Sequence, residues 1–259
     1  MAIEVAVVVS VAGLFAGMLL FSAIGRRLGV ARFSRDPEAA TAEGGAAEAS
    51  VFALLGLLIA FTFSGAASRF EDRRELIGVE ANAIGTAYLR VDLLPGDSQP
   101  ELRDLFRRYV DLRSTVYQSA LDQAETSARL AAGDALQREI WTKVVAAARR
   151  PEAPAQASIL LVPAVNEMID ITTTRVVASQ NHPPLAVFVL LGSLCLVGAL
   201  LIGQAHSANT VRRWFYPVVF AAILSTTVYV IVDLEFPRVG FIRVDGADRI
   251  LADLRESMQ

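Results

Sequence analysis

Hydrophobic positions along the chain gather in four dense blocks instead of recurring with one regular period. Between Glu4 and Arg26 lie 21 uncharged residues, between Glu48 and Arg69 lie 20, between His182 and Arg212 lie 29, and between Arg213 and Asp233 lie 19. A helix rises about 1.5 Å per residue and the hydrocarbon layer of a bilayer is roughly 30 Å thick, so about 20 such residues make one crossing. The pattern predicts four transmembrane helices, near 4–25, 49–68, 184–205 and 214–233. The first block lacks a basic leading region and runs directly into Arg26 and Arg27, so it is read as a span and not as a cleaved leader.

The segments between the blocks are polar. Residues 26–48 are rich in Ala, Gly and Arg and read as a flexible or weakly helical connector. From Arg69 to His182 the composition is aqueous but the apolar residues keep helical spacing, which predicts a helical domain inserted between two hairpins of spans. Phe70, Ile77, Ile84, Ala87, Tyr88 and Val91 fall on or near one face of a helix that continues the second span and stops at "LLPGDSQP", where Pro95 and Pro100 punctuate. A second helix is expected over about 101–130, with Leu102, Leu105, Phe106, Tyr109, Leu112, Val116 and Tyr117 as its stripe, broken by Gly133. A third is expected to about Arg149 on Leu136, Ile140, Val144 and Ala147, and a fourth over about 158–179, leading through "NHPP" into the third span.

The fold class is therefore an all-α integral membrane protein: four transmembrane helices with a helical extramembrane domain between spans two and three. Its parts are 1–68, a first transmembrane hairpin with its connector; 69–182, the helical domain; 183–234, a second hairpin; and 235–259, a C-terminal tail.

The stretch "GLLIAFTFSGAASRFEDRRELI" runs from an apolar span into dense charge without a proline. A helix can leave the bilayer in this way because its backbone hydrogen bonds are internal and only its side chains must change at the interface. Arg69 with Asp72, and Glu71 with Arg74, stand at i, i+3, and with Arg73 they form a solvated collar of modest ion pairs. Within the span, Gly56, Ala60, Ser64 and Gly65 allow neighbouring helices to approach closely. Leu57 and Phe61 lie one turn apart on one face, where a ring of subunits would bring them into an apolar constriction.

Composition narrows the functional classes. The chain is 54% hydrophobic and carries a net charge of -3, which suits neither a disordered nor a nucleic-acid-binding protein. The single cysteine, Cys195, falls inside the third span and permits no internal disulfide.

The layout, the segment "AFTFSGAASRFEDRRELIGVEANAIGTAYLR" and the segment "VDLEFPRVGFIRVD" after the last span resemble the bestrophins, and especially the bacterial proteins called bestrophin-like. The resemblance implies a pentameric anion channel in the bacterial inner membrane whose second span lines an apolar neck. Matched through "SRF", the neck positions fall on Ala53, Leu57 and Phe61. Ala53 departs from the bulkier family pattern and would widen one turn. The acidic cluster that forms a calcium clasp in animal bestrophins is interrupted here by Arg238 and Arg243, so no calcium site is expected. Arg69, Glu71, Asp72, Arg73, Arg74, Asp233 and Glu235 are the interface or gating candidates, the last two read as interfacial carboxylates at the exit of span four. The helical domain's polar residues Glu80, Asn82, Asn166, Glu167, Asp170 and Arg175 are candidates for a polar network there and are read mostly as solvated faces.

Sidedness receives two opposed readings. Arg26, Arg27, Arg32, Arg35, Arg212 and Arg213 in the short connectors place the helical domain outside by the positive-inside rule. The family layout places it in the cytoplasm, with Arg69, Arg73, Arg74, Arg175, Arg238 and Arg243 on that side, and is the layout adopted here.

No phosphate-cradling glycine loop, metal-ligand spacing or nucleophile motif appears. His182 and His206 stand 24 residues apart, about 36 Å along a helix, on opposite sides of the bilayer. Catalysis, a bound metal and a cofactor are not expected. The expected partners are the lipid bilayer, small inorganic ions and further copies of the chain, with no nucleic acid. The competing class is a non-conducting membrane scaffold or sensor whose helical domain binds a partner.

Overall fold

The computed structural model describes residues 2–35, 45–116, 123–205, 214–237, 240–242 and 245–258. Tyr117, His206, Arg212, Arg213, Arg238 and Arg243 of the sequence analysis lie outside them, as do residues 36–44 of the first connector. Among the described residues the regular structure is helical throughout: α1 (Ala2–Arg35), α2 (Gly45–Arg90), a 3₁₀ turn (Val91–Leu93), α3 (Gln99–Val116), α4 (Gln123–Ala148), a π turn (Ala157–Leu161), α5 (Val162–Gln180), α6 (Leu185–Ala205), α7 (Phe215–Glu235) and α8 (Asp245–Ser257).

Four helical stretches among the described residues are long and apolar enough to cross a membrane, and they overlap the four predicted spans to within one residue at the starts of the first and last. The 46 residues of α2 extend about 69 Å, more than twice the hydrocarbon thickness. No proline or cap interrupts the helix between Ala53 and Arg90, so it carries its own hydrogen bonding out of the apolar region.

The chain separates into two units, Met1–Ser68 with His182–Phe241 and Arg69–Asn181 with Ile242–Gln259. In the first, α1 packs against α6 and α7, and α6 against α7. The approach of α1 to α6 is set by small residues. Ser22 Oγ donates to the Ala199 carbonyl at 2.8 Å, and a Cβ on Gly25 or Gly203 would overlap the carbonyl oxygens of Leu200 and Ser22 respectively. In lipid, burial of apolar surface does not drive helices together, and close backbone contact supplies the attraction that does. Cys195 is buried in this packing.

The second unit is an aqueous helical domain. Its core joins the later turns of α2 (Ile77, Ile84, Tyr88) to Phe106 and Tyr109 of α3, Ile140 and Val144 of α4, and Val165 and Met168 of α5. Tyr88 meets Phe106 edge to face at 6.0 Å between centroids. Residues assigned above to a C-terminal tail form α8, which packs on α3. Leu251 and Met258 are buried, Arg255 Nε pairs with Asp111 Oδ1 at 2.8 Å, and Arg107 Nε donates to the Met258 carbonyl at 2.9 Å.

Two expectations are corrected. Gly133 does not end a helix: it lies inside α4, which runs from Gln123 to Ala148. One interior glycine costs roughly 1 kcal/mol relative to alanine, a cost that the packed stripe of Ile140, Val144 and Ala147 offsets. The helix expected from Ser158 begins instead as a π turn, because Pro163 lacks an N–H and its ring crowds the carbonyl of Ile159 four residues back.

Candidate functional site

One face of α2 is uncovered along most of its length. Ala53, Leu57, Phe61, Ser64, Ser68, Glu71, Glu75, Val79, Asn82, Thr86 and Leu89 follow one another at steps of three or four residues, which keeps them on one side of a helix, and every one is exposed. Leu57 and Phe61 are 52% and 67% accessible, large values for apolar side chains. On the opposite side Leu55 and Ala66 are buried. Phe52 meets Phe220 of α7 edge to face at 6.0 Å, and its ring edge reaches the space above Gly198 of α6. The packed side fixes the rotation of α2 and leaves the three expected neck positions uncovered.

The collar residues separate into three environments. Glu71 and Arg74 form the expected i, i+3 pair at 2.9 Å, exposed at both ends, with the Arg74 guanidinium 5.8 Å from the Phe70 ring. Asp72 is exposed and Arg69 half-buried. Arg73 leaves the collar: its Nε donates to the Ala178 carbonyl at 3.1 Å and its Nη2 to the Asn181 carbonyl at 3.0 Å. It thereby caps the C-terminus of α5, where backbone carbonyls lack helical partners and the helix dipole favours a cation.

Asp233 and Glu235 are not carboxylates reaching into water. They are 4% and 0% exposed. Glu235 Oε1 lies 2.8 Å from His182 Nδ1, and the His182 ring stacks on Phe236 at 4.6 Å. Asp233 Oδ2 accepts the Phe241 N–H at 3.0 Å, and a Cβ on Gly240 would overlap the same carboxylate. Both acids anchor the chain as it turns out of α7, a role the position of the residues past an apolar block did not reveal.

Glu80 and Arg175, candidates for a polar network, meet in a buried charge cluster of the helical domain whose third member, Arg113, sequence reasoning missed. Glu80 of α2 receives Arg113 Nε of α3 at 2.6 Å and Arg175 Nη1 of α5 on its other oxygen. The three side chains are 0%, 2% and 6% exposed. A second buried network lies in the same core: Gln137 Nε2 of α4 donates to Tyr109 Oη at 2.8 Å and to Thr172 Oγ1 at 2.9 Å. The signal was present, since Glu80 falls between Ile77, Ala81 and Ile84, and Arg113 lies one turn beyond Tyr109 on the same stripe. Asn82 is exposed, and Asn166 pairs with Asp170 at the surface at 2.7 Å, as read from the sequence.

Among the described residues no group of three or more His, Cys, Asp or Glu side chains converges. The architecture is that of an integral membrane protein with four helical spans and an inserted helical domain. The profile of the bestrophin-like domain matches residues 12–247, and the chain belongs to that family. Its fold is that of a bacterial bestrophin homolog from Klebsiella pneumoniae, seen in several single-substitution variants. One matches with a TM-score of 0.70 at 14% identity over 95% of this chain and 98% of that one. A second matches with a TM-score of 0.69 at 13% identity over 94% and 98%. No curated protein matches the sequence.

Proposed function

We propose that the protein is an oligomeric ion channel in which copies of α2 surround the conduction path and Leu57 and Phe61, with Ala53, form its apolar neck. The uncovered stripe on α2 carries this reading. A membrane helix that buries one face on its own subunit and leaves bulky apolar residues and serines in register on the other is suited to a second surface, and a ring of such faces encloses an axis. Membership of the bestrophin-like family supports the same arrangement, with five subunits by resemblance to bestrophins and the bacterial inner membrane as its location.

For the permeant ion, the resemblance to bestrophins implies anions, and one feature of α2 favours cations. Beyond Ser68 the charged residues that continue the neck stripe are Glu71 and Glu75, with Asp72 beside them, while Arg69, Arg73 and Arg74 lie to the flanks or behind. Rings of carboxylates at a pore mouth attract cations.

Reconstitution of the purified protein in a planar bilayer under a potassium chloride gradient tests both statements. Discrete currents altered by Phe61→Ala are the expected result, and the sign of the reversal potential assigns the ion. A silent bilayer containing the intact oligomer would remove the channel reading and leave a membrane scaffold or sensor.

A further inference from the structure

Trp214 precedes the first residue of α7, and Asp233 follows it by 19 residues, about 28 Å of helix and close to one hydrocarbon thickness. Trp214 therefore stands at the headgroup level of the membrane. Phe215 and Tyr216 come next, and the three rings are 49%, 57% and 41% exposed. Aromatic side chains with an apolar body and a polar tip collect at that depth. The apolar run of α1 ends beside them. A Cβ on Gly25 would overlap the Leu200 carbonyl of α6, and the guanidinium of the next residue, Arg26, lies 5.5 Å from the centre of the Trp214 ring. Arg27 and Arg32, further along α1, are exposed.

We propose that this end of the first and fourth spans binds the headgroup of an anionic phospholipid, with Arg26 and Arg27 on its phosphate and Trp214 holding Arg26 in place. Charge and depth select that partner. Contact with an indole occupies one face of a guanidinium and leaves its N–H edge, which is the edge that meets two oxygens of a phosphate. Among the described residues no carboxylate pairs with Arg26 or Arg27. The described residues at this end, 25–34, 45–50, 200–205 and 214–218, hold three arginines and one acid, Glu48. A neighbouring copy is a poor source of the counter-charge. The spans of every copy in a closed ring run the same way through the bilayer, so a neighbour brings the same basic end to the same depth. A lipid phosphate stands at that depth by necessity, and arginines beside a membrane surface attract anionic lipids.

Native mass spectrometry of the full-length protein, delipidated and then supplied with equal amounts of phosphatidylglycerol and phosphatidylcholine of the same chains, tests this. The wild type should retain phosphatidylglycerol in excess. Arg26→Gln and Arg27→Gln should each lower that excess about fivefold, the factor that about 1 kcal/mol makes. Arg138→Gln with Arg149→Gln, two exposed arginines of the helical domain, should leave it unchanged. A wild type without preference would overturn the proposal and assign the arginines to the connector's own acids, Asp36, Glu38 and Glu43. An excess unchanged by Arg26→Gln and Arg27→Gln would overturn it by placing the headgroup elsewhere. Dissociation of the oligomer by those variants with an unchanged excess would overturn it in favour of a contact between copies. Should they fail to fold, Trp141→Phe leaves Trp214 as the sole tryptophan and reports on the native arginines. Phospholipids brominated near the headgroup, at equal mole fraction, should quench Trp214 more strongly as phosphatidylglycerol than as phosphatidylcholine. Equal quenching by the two defeats the site.

Discussion

Glu80 of α2 and Arg113 of α3 form an ion pair wholly inside the helical domain, 2.6 Å from Oε1 to Nε, with side chains 0% and 2% exposed. The same carboxylate also takes Arg175 of α5, so one acid ties together three helices. Removing one partner of a buried pair is far more costly than the pair is worth against apolar replacements, because the remaining charge stays desolvated. Glu80→Ala should therefore destabilise the domain by about 3–5 kcal/mol, read as a large fall in the unfolding temperature of the protein in detergent. A triple replacement of Glu80, Arg113 and Arg175 by apolar residues of similar size should recover most of that loss.

The crossing of α1 and α6 should respond to single methyl groups. Gly25→Ala and Gly203→Ala each place a Cβ against a carbonyl oxygen of the facing helix, and overpacking of this kind costs typically about 1–3 kcal/mol. Gly13, whose added Cβ would meet nothing, supplies the matched control. A thermal scan should separate the first two variants from Gly13→Ala, and equal melting of all three would disprove the close approach.

The turn after α7 should show a coupling between Gly240 and Asp233. Gly240→Ala drives a methyl group into the Asp233 carboxylate that accepts the Phe241 N–H. Asp233→Ala removes both the obstruction and the acceptor, at a cost of about 0.5–1.5 kcal/mol for the lost hydrogen bond. The double variant should be no less stable than Asp233→Ala alone. Additive losses in a double-mutant cycle would show that the two residues do not interact.

If α2 surrounds the conduction path, its stripe should divide conduction from selectivity. Leu57→Ala and Phe61→Ala should raise unitary conductance by widening the neck, with little change in oligomer stability. Glu71→Gln with Glu75→Gln should leave conductance through the neck in place and shift the reversal potential toward the anion side, since it removes carboxylates from the same face. Loss of assembly without any change in ion flux would mark these residues as packing groups.

The loop between the 3₁₀ turn and α3 has its own electrostatic signature. Asp97 receives Arg150 Nη1 at 2.7 and 2.9 Å, and that hydrogen bond is the leading cause holding its carboxyl below the ordinary value of 3.8. A depressed folded-state value means that the stabilisation is present above the unfolded value and is lost as pH falls through the folded one. Carboxyl NMR should place the Asp97 midpoint below 3.8, and Arg150→Gln should move it upward.

Several parts of this architecture are legible in residue order because each depends on a short window. Uncharged runs of about 20 residues announce spans whatever they pack against, since the bilayer supplies the environment. The stripes of α2 and α3 follow from the helical period, and they recover Ile77, Ile84, Phe106 and Tyr109 as core. Gly133 was misread because a glycine's local preference is weak beside the packing of the turns around it.

The sequence by itself determined the four crossings, the inserted helical domain, the unbroken helix leaving the second span and the stripe that includes Leu57 and Phe61. Only the tertiary structure decided that Asp233 and Glu235 are buried anchors, that Arg73 caps α5, that Glu80 is shared by Arg113 and Arg175, and that α8 belongs to the helical domain. The physical reason is range. Transfer into a bilayer and helical periodicity act on residues close in sequence, whereas the fate of a charge depends on which distant donor or acceptor the fold brings within hydrogen-bonding reach.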